Sequence, residues 1–325
     1  MMPIALDDAH EKARWAQKHY DELCEEIDAF QQRDEHRITV EIDADAGEYV
    51  FHVFDLPETN PDWGLRIGDC LHNARTALDY LMVRLWALIT RQDPRDVKDI
   101  QFPIYGPDPN NADPDAAIQA ARGRFQSAVG ELRKEMLFSG YLATIEQLQP
   151  FNTHNPSVWG FMTPQSHAPL LPAALDKLSR WDNIDKHRVI NAAVLAGGIQ
   201  FLNPPAPPEF KYAGGGATYA TLEEGTEIGR WRFETPLPFA WEPTQKEMKG
   251  HFPIEVALDE PIPPKGILMV LPLCLWGVNT VLEIFDPVFS SGQSPLPVTV
   301  SVARERTDSP AALATAISSR SANDK

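Results

Sequence analysis

Cysteine is scarce: Cys24, Cys70 and Cys274 are the only three in 325 residues. They are odd in number and far apart, and no Cys-x-x-Cys pair occurs. Neither a structural zinc site nor a disulfide framework is expected, and the usage suits a reducing compartment. Positive charge is also short, with 29 Lys plus Arg against 46 Asp plus Glu and a formal charge of −17. Non-specific nucleic-acid binding needs clustered cations to neutralise phosphates, and this composition disfavours it. Arg122, Arg124, Arg133 and Lys134 lie close together in sequence, but a solvated helix face explains them more simply than a basic patch. The longest apolar run, Ile267 to Trp276, is too short to span a bilayer and contains Pro272. The first residues, Met-Met-Pro-Ile-Ala-Leu-Asp-Asp, carry no basic start and no apolar signal core. The expectation is a soluble, cytoplasmic, acidic protein with no membrane partner.

Several reaction motifs are missing too. There is no Gly-x-Ser-x-Gly elbow, no Gly-x-x-x-x-Gly-Lys phosphate loop and no His-Glu-x-x-His. Gly214-Gly215-Gly216 precedes no helix and reads as a turn. His154 and His167 sit in a Pro-rich loop. No cofactor is called for, and the partner is a ligand or protein whose nature the residues do not specify.

What is present is apolar material, 43% of residues, with an ordinary 23% charged. Apolar positions recur at helical spacing from Asp7 to about Gln32. Arg37–Asp43 and Tyr49–Asp55 alternate apolar and polar around Asp45-Ala46-Gly47, a hairpin signal. Asn60 to Gly64 reads as a loop, and a long helix is expected from Ile67 to Arg91. An extended piece follows at Ile100–Tyr105, then helical patterning from Asp115 to Gln147 with breaks near Gly123 and Gly140, then a helix from Leu170 to Asp185.

After Arg188 the character changes. Val189–Asn203, Ile228–Glu234, Phe252–Leu258 and Gly266–Leu275 read as strands, Val278–Phe285 as a short helix and Val298–Val302 as a last strand. Helices first and strands later predict an α+β fold, with a helical N-terminal half bearing a β-hairpin and then a mainly antiparallel β portion. The expected organisation is a helical domain over 1–190, a Pro-rich β portion over 191–302 that could share that domain through the hairpin, and a mobile tail over 303–325. Trp231, Phe233, Phe239 and Trp241 alternate there, which suits core packing better than a base-stacking platform.

One helix stripe stands out. Leu71, Ala74, Leu78, Leu81 and Leu85 share a core face. Asp69, His72, Asn73, Thr76, Asp79 and Tyr80 fall opposite, with Arg75 at the margin. A solvated face normally carries Lys, Glu and Gln. Short directional groups there imply a protein cover, because each buried polar group left unpaired costs roughly 1–3 kcal/mol. The second unusual segment, Trp181 to Arg188, places Asp185 beside Leu178 and Trp181, where a carboxylate needs a cation such as Arg75 or His72. The two segments are therefore expected to pack together and share a charge network. Asp69 has a simpler role available as a helix N-terminal cap. The network is either structural or catalytic. Asp69, His72 and Asp79 share one helix side and, with His187, would also offer mixed oxygen and nitrogen ligands to a divalent metal.

These residues carry a resemblance. Gly68-Asp69, His72-Asn73, Arg75, Ala77 and Asp79, then Phe102-Pro103-Ile104, Gln149-Pro150-Phe151 and Asp185-Lys186-His187-Arg188 resemble a family of uncharacterised bacterial proteins that share this combination. The likeness covers roughly residues 35 to 190 and implies a shared helical architecture without an activity. More distantly, the first motif is similar to the Arg-x4–6-His signature of HEPN domains, helical proteins that include metal-free ribonucleases. Tyr80 stands where the His would fall, while Arg14 with His19, Arg66 with His72, and Arg180 with His187 also fit the spacing. That resemblance implies a catalytic set of His72, Arg75, Asp79 and His187 as the alternative to a binding or regulatory protein with a structural network.

Overall fold

The computed structural model describes residues 5–31, 37–43, 45–55, 58, 60–91, 93–96, 100–130, 140–152, 170–187, 192–196, 211–217, 223–234, 254–258 and 267–295. In chain order these form α1 (Asp7–Gln31), β1 (Arg37–Asp43), β2 (Glu48–Phe54), α2 (Asp62–Thr90), α3 (Pro114–Ala128), α4 (Tyr141–Gln147), α5 (Leu170–His187), β3 (Ala192–Ala196), β4 (Tyr212–Ala217), β5 (Thr226–Phe233), β6 (Ile254–Leu258) and α6 (Ile267–Ser291). The protein is α+β. The Val298–Val302 strand, the 303–325 tail, His154, His167, Phe239 and Trp241 fall outside the described residues.

The chain divides into two compact units that are discontinuous in sequence. One takes in Met1–Tyr20, Ile67–Val189 and Met269–Lys325, and the other Asp21–Arg66 and Ile190–Leu268. The second holds an antiparallel sheet in the order β1-β2-β5-β4 and a separate pair, β3-β6. The N-terminal hairpin therefore does join the C-terminal strands. Tyr49 and Phe51 of β2 meet Phe233 and Trp231 of β5 edge to face, at 5.4 and 4.7 Å between ring centroids. All four are buried, so these aromatics fill a core as expected.

Gly214-Gly215-Gly216 lie in edge strand β4 rather than in a turn. Gly215 adopts φ +129°, and a Cβ there would collide with the carbonyl of Arg230 on β5. Glycine is present to let two backbones approach at an irregular register, which composition alone reads as a turn.

Three helix boundaries differ from expectation. Helix α2 begins at Asp62, five residues before the expected Ile67. The Asn60 side chain accepts the Asp62 N–H at 3.0 Å, with Pro61 between them. Gly123 does not break α3, which Asp113 caps by accepting from the N–H groups of Asp115 and Ala116. The expected strand over Gly266–Leu275 and short helix over Val278–Phe285 are one helix, α6.

Its Val270–Ser291 stretch, longer than the apolar run read from the sequence, is long and apolar enough by length and composition to cross a membrane, a test that the buried core helix of a soluble protein also passes. In this fold 61% of its most apolar 18-residue window is buried in protein. Gly277 lies against Ala174 of α5, where an added Cβ would approach the Ala174 Cβ to 2.8 Å. Phe285 meets the ring of Tyr141 on α4, and Asp286 pairs with His10 of α1 at 2.8 Å. The buried Cys274 thiol sits near the Ala174 carbonyl, and burial pushes its pKa up to about 12.

Such a close helix crossing tolerates no larger side chain. Gly277→Val should destabilise the protein by about 1–3 kcal/mol through overpacking, measured as a lower denaturation midpoint. An exposed control on the same helix, Ser291→Ala, should leave that midpoint unchanged.

Candidate functional site

The polar side of α2 is divided between two covers. Arg75 and Asp79, one turn apart, pair with each other at 3.3 Å. Both reach the extended segment that precedes α3. The Arg75 guanidinium donates to the Phe102 carbonyl at 2.5 Å, and the Asp79 carboxylate accepts the Phe102 N–H at 2.8 Å. The two side chains thus take both backbone groups of one residue, as a neighbouring strand would. Gln149, fully buried, repeats the device two residues on: it donates to the Pro103 carbonyl at 2.7 Å and accepts the Tyr105 N–H at 3.0 Å. Arg124 of α3 donates to the Gly106 carbonyl at 2.8 Å, and Arg180 of α5 to the Pro107 carbonyl at 3.2 Å.

Residues 102–107 therefore form a strap that belongs to no sheet, with four carbonyls and two N–H groups held by side chains. Extended backbone that is buried at Phe102 and Pro103 and half-buried beyond, with no ladder, gains stability when its polar groups are satisfied this way. Phe102 anchors the strap, fully buried, and Gly106 leaves room for the Asp176 carboxylate that a Cβ would strike. Asp176 in turn holds Arg180 at 2.8 Å. Of the four cations that lie close together in sequence, Arg124 serves the strap and Arg122 lies over the Phe151 ring, while Arg133 and Lys134 fall outside the described residues.

The second cover is α5. Its buried acid is Asp182 rather than the expected Asp185. The Asp182 side chain is 3% exposed and receives Lys186 Nζ at 2.6 Å on one oxygen. The other oxygen has no hydrogen-bond partner and lies 3.8 Å from His72 Nδ1. Asp182 follows Trp181 and stands one turn beyond Leu178, both fully buried, so it is carried inward with them. Asp185 instead rests over the bare backbone of Gly68, where any Cβ would strike its carboxylate. Nothing on Gly68 covers it, and it stays half-buried. The predicted meeting of the two motif segments is present, through different atoms.

The outer residues behave differently. Asp69 is exposed, and because α2 starts at Asp62 it does not cap the helix. The His72 side chain is 61% exposed. Asn73 bonds back to the Asp69 carbonyl and receives Lys12 of α1. His187 ends α5, with its side chain outside the described residues. Among the described residues no three or more His, Cys, Asp or Glu are placed to hold a metal ion. Asp79, one of the weak metal candidates, is already spent on Phe102 and Arg75.

Electrostatics separate the two halves further. Burial raises the pKa of Asp79, against the pull of Arg75 and the Phe102 N–H. Asp185 is raised first by burial, then by the neighbouring charges of Asp182 and Asp69. The face around His72 is thus rich in carboxylates. No family model, no curated protein and no solved structure matches this chain.

Two outcomes follow from the strap geometry. Gln149→Leu keeps the side chain's bulk but strands the Pro103 carbonyl and the Tyr105 N–H. It should cost about 2–4 kcal/mol by chemical denaturation, against near-neutrality for Gln147→Leu on the exposed side of α4. The second concerns pH. Folded Asp79 keeps its proton to higher pH than the unfolded chain does, so the unfolded state ionises first. As pH climbs from the ordinary aspartate range through the raised folded value, the wild type should lose stability relative to Asp79→Asn. Below that window the difference should be flat. A stability difference that instead grows in the wild type's favour with pH would contradict the burial of Asp79.

Proposed function

We propose that this chain is an intracellular binding or regulatory protein whose motif residues hold the strap and join α2 to α5, rather than carry out a reaction. One observation carries the reading: the Arg75 guanidinium is only 12% exposed, its Nη2 is committed to the Phe102 carbonyl and to Asp79, and its Nη1, though without a hydrogen-bond partner, is buried away from any substrate. An arginine that steadies a phosphate must present free N–H groups to it. Arg180, of the Arg180 and His187 pair, likewise bonds the Pro107 carbonyl and pairs with Asp176. The surface beside His72 adds Asp69 and Asp185, which repel a polyanion. A partner that meets this face does so with neutral or cationic groups.

The alternative is a HEPN-like ribonuclease or a metal-assisted hydrolase centred on His72, Arg75, Asp79 and His187. It requires Arg75 to leave Phe102 and strand that carbonyl. Incubation of the purified chain with mixed RNA distinguishes the two. Under the binding reading the RNA stays intact in chelator and after adding Mg²⁺, Mn²⁺ or Zn²⁺. Cleavage that His72→Ala abolishes while the melting temperature holds would overturn it.

A further inference from the structure

The four-stranded sheet has two edges, and they differ. Strand β4 is irregular: its register against β5 shifts between Tyr212 and Gly214, and Gly215 stands at φ +129°. An irregular, glycine-rich edge is a poor template for another strand. Strand β1 is regular. Among the described residues it pairs only with β2, in unbroken register from Arg37↔Phe54 to Asp43↔Glu48, and it holds no Pro, no Lys and no bulge. Alternate residues of such a strand turn their N–H and C=O groups away from its one neighbour. We infer that β1 docks antiparallel against β1 of a second copy of this chain, joining two sheets into one across a twofold axis.

The strand is its own complement. Arg37-Ile38-Thr39-Val40-Glu41-Ile42-Asp43 alternates polar and apolar residues identically from either end. Centred on Val40, the antiparallel register sets Arg37 opposite Asp43, Thr39 opposite Glu41 and Val40 opposite itself. Opposite charges meet at both ends of the joint, and like charges meet nowhere. The ion pairs within the chain continue this order. Arg37 pairs with Asp55 at 2.8 Å and Asp43 with Arg230 at 3.4 Å, all four side chains remaining partly exposed. Across the joint the row runs Asp55, Arg37, then Asp43 and Arg230 of the second copy, alternating in sign at each step. A parallel pairing would set Arg37 on Arg37 and Asp43 on Asp43, and would repel.

The apolar side supplies the gain. Val40 and Ile42 lie opposite Phe51 and Tyr49 of β2, so they face the core side of the sheet. Phe51 and Tyr49 are buried there, whereas Val40 is half-buried and Ile42 is 37% exposed. The core row thus runs out into solvent at the β1 edge, and a second copy of the strand covers it. Because one patch meets itself, the contact closes at two chains and does not propagate into a fibre. This edge stands apart from the strap, and neither reading depends on the other.

Sedimentation velocity on the full chain at high micromolar concentration should show a dimer that dissociates on dilution. Arg37→Asp and Asp43→Arg each set like charges opposite at both ends of the joint. Each should weaken association by about a hundredfold and leave the circular-dichroism spectrum unchanged, since exposed ion pairs contribute little to a fold. Mixed in equal amounts, the two variants regain opposite charges at both ends and should form a dimer with each other. Ile42→Lys, which touches neither ion pair, should also give a folded monomer. A wild type that stays monomeric at that concentration, a dimer that survives Ile42→Lys, or folded charge variants that remain apart on mixing would each overturn the inference.

Discussion

A stretch of extended backbone without a sheet is the constraint on which the helical unit turns. Phe102 and Pro103 are buried and residues 104–107 half-buried, so carbonyl and N–H groups shielded from water there must be bonded by protein. Arg75, Asp79, Gln149, Arg124 and Arg180 supply those bonds from α2, α3, α5 and the turn after α4. Four separate parts of the chain are thereby tied to one strap. The arrangement explains why short, directional side chains occupy a helix face that would otherwise carry Lys and Glu. It also explains two residues with little or no side chain: Gly106, which admits Asp176, and Gly68, which admits Asp185.

The same constraint bears on chemistry. A guanidinium whose Nη2 satisfies a backbone carbonyl and a half-buried carboxylate, and whose Nη1 is buried, reaches a substrate only by leaving that place and both partners. What remains accessible on the polar side of α2 is Asp69, His72 and Tyr80, with Asp185 nearby. That set has one imidazole and two carboxylates, and the buried Asp182 oxygen behind His72 lacks a hydrogen-bond partner. It suits an interaction surface better than a phosphate site.

Much of the architecture was legible in the residues. The period of α1, the hairpin of β1 and β2, the alternation in β5 and the core face of α2 follow from spacing alone. The α6 region was not. A continuous apolar run has no face to read, and β-branched residues near Pro272 imitate a strand. Gly214-Gly215-Gly216 failed for a different reason, since glycine in an edge strand serves a close backbone approach that only the partner strand reveals. On α5, Asp182 and Asp185 flank the same buried arc, and the choice between them depends on Gly68, a residue more than a hundred positions away. The strap was visible only as a short extended piece, because side chain to backbone bonds across 18 to 73 residues leave no periodic trace.

Hydrogen exchange at the strap amides measures the central interaction most directly. In the native protein the Phe102 and Tyr105 N–H groups should exchange far more slowly than those of a free peptide, and Asp79→Ala should release Phe102 well before Tyr105. Free-peptide rates at both amides in the folded wild type would contradict the account, because the polar side chains of α2 and Gln149 would then be holding nothing.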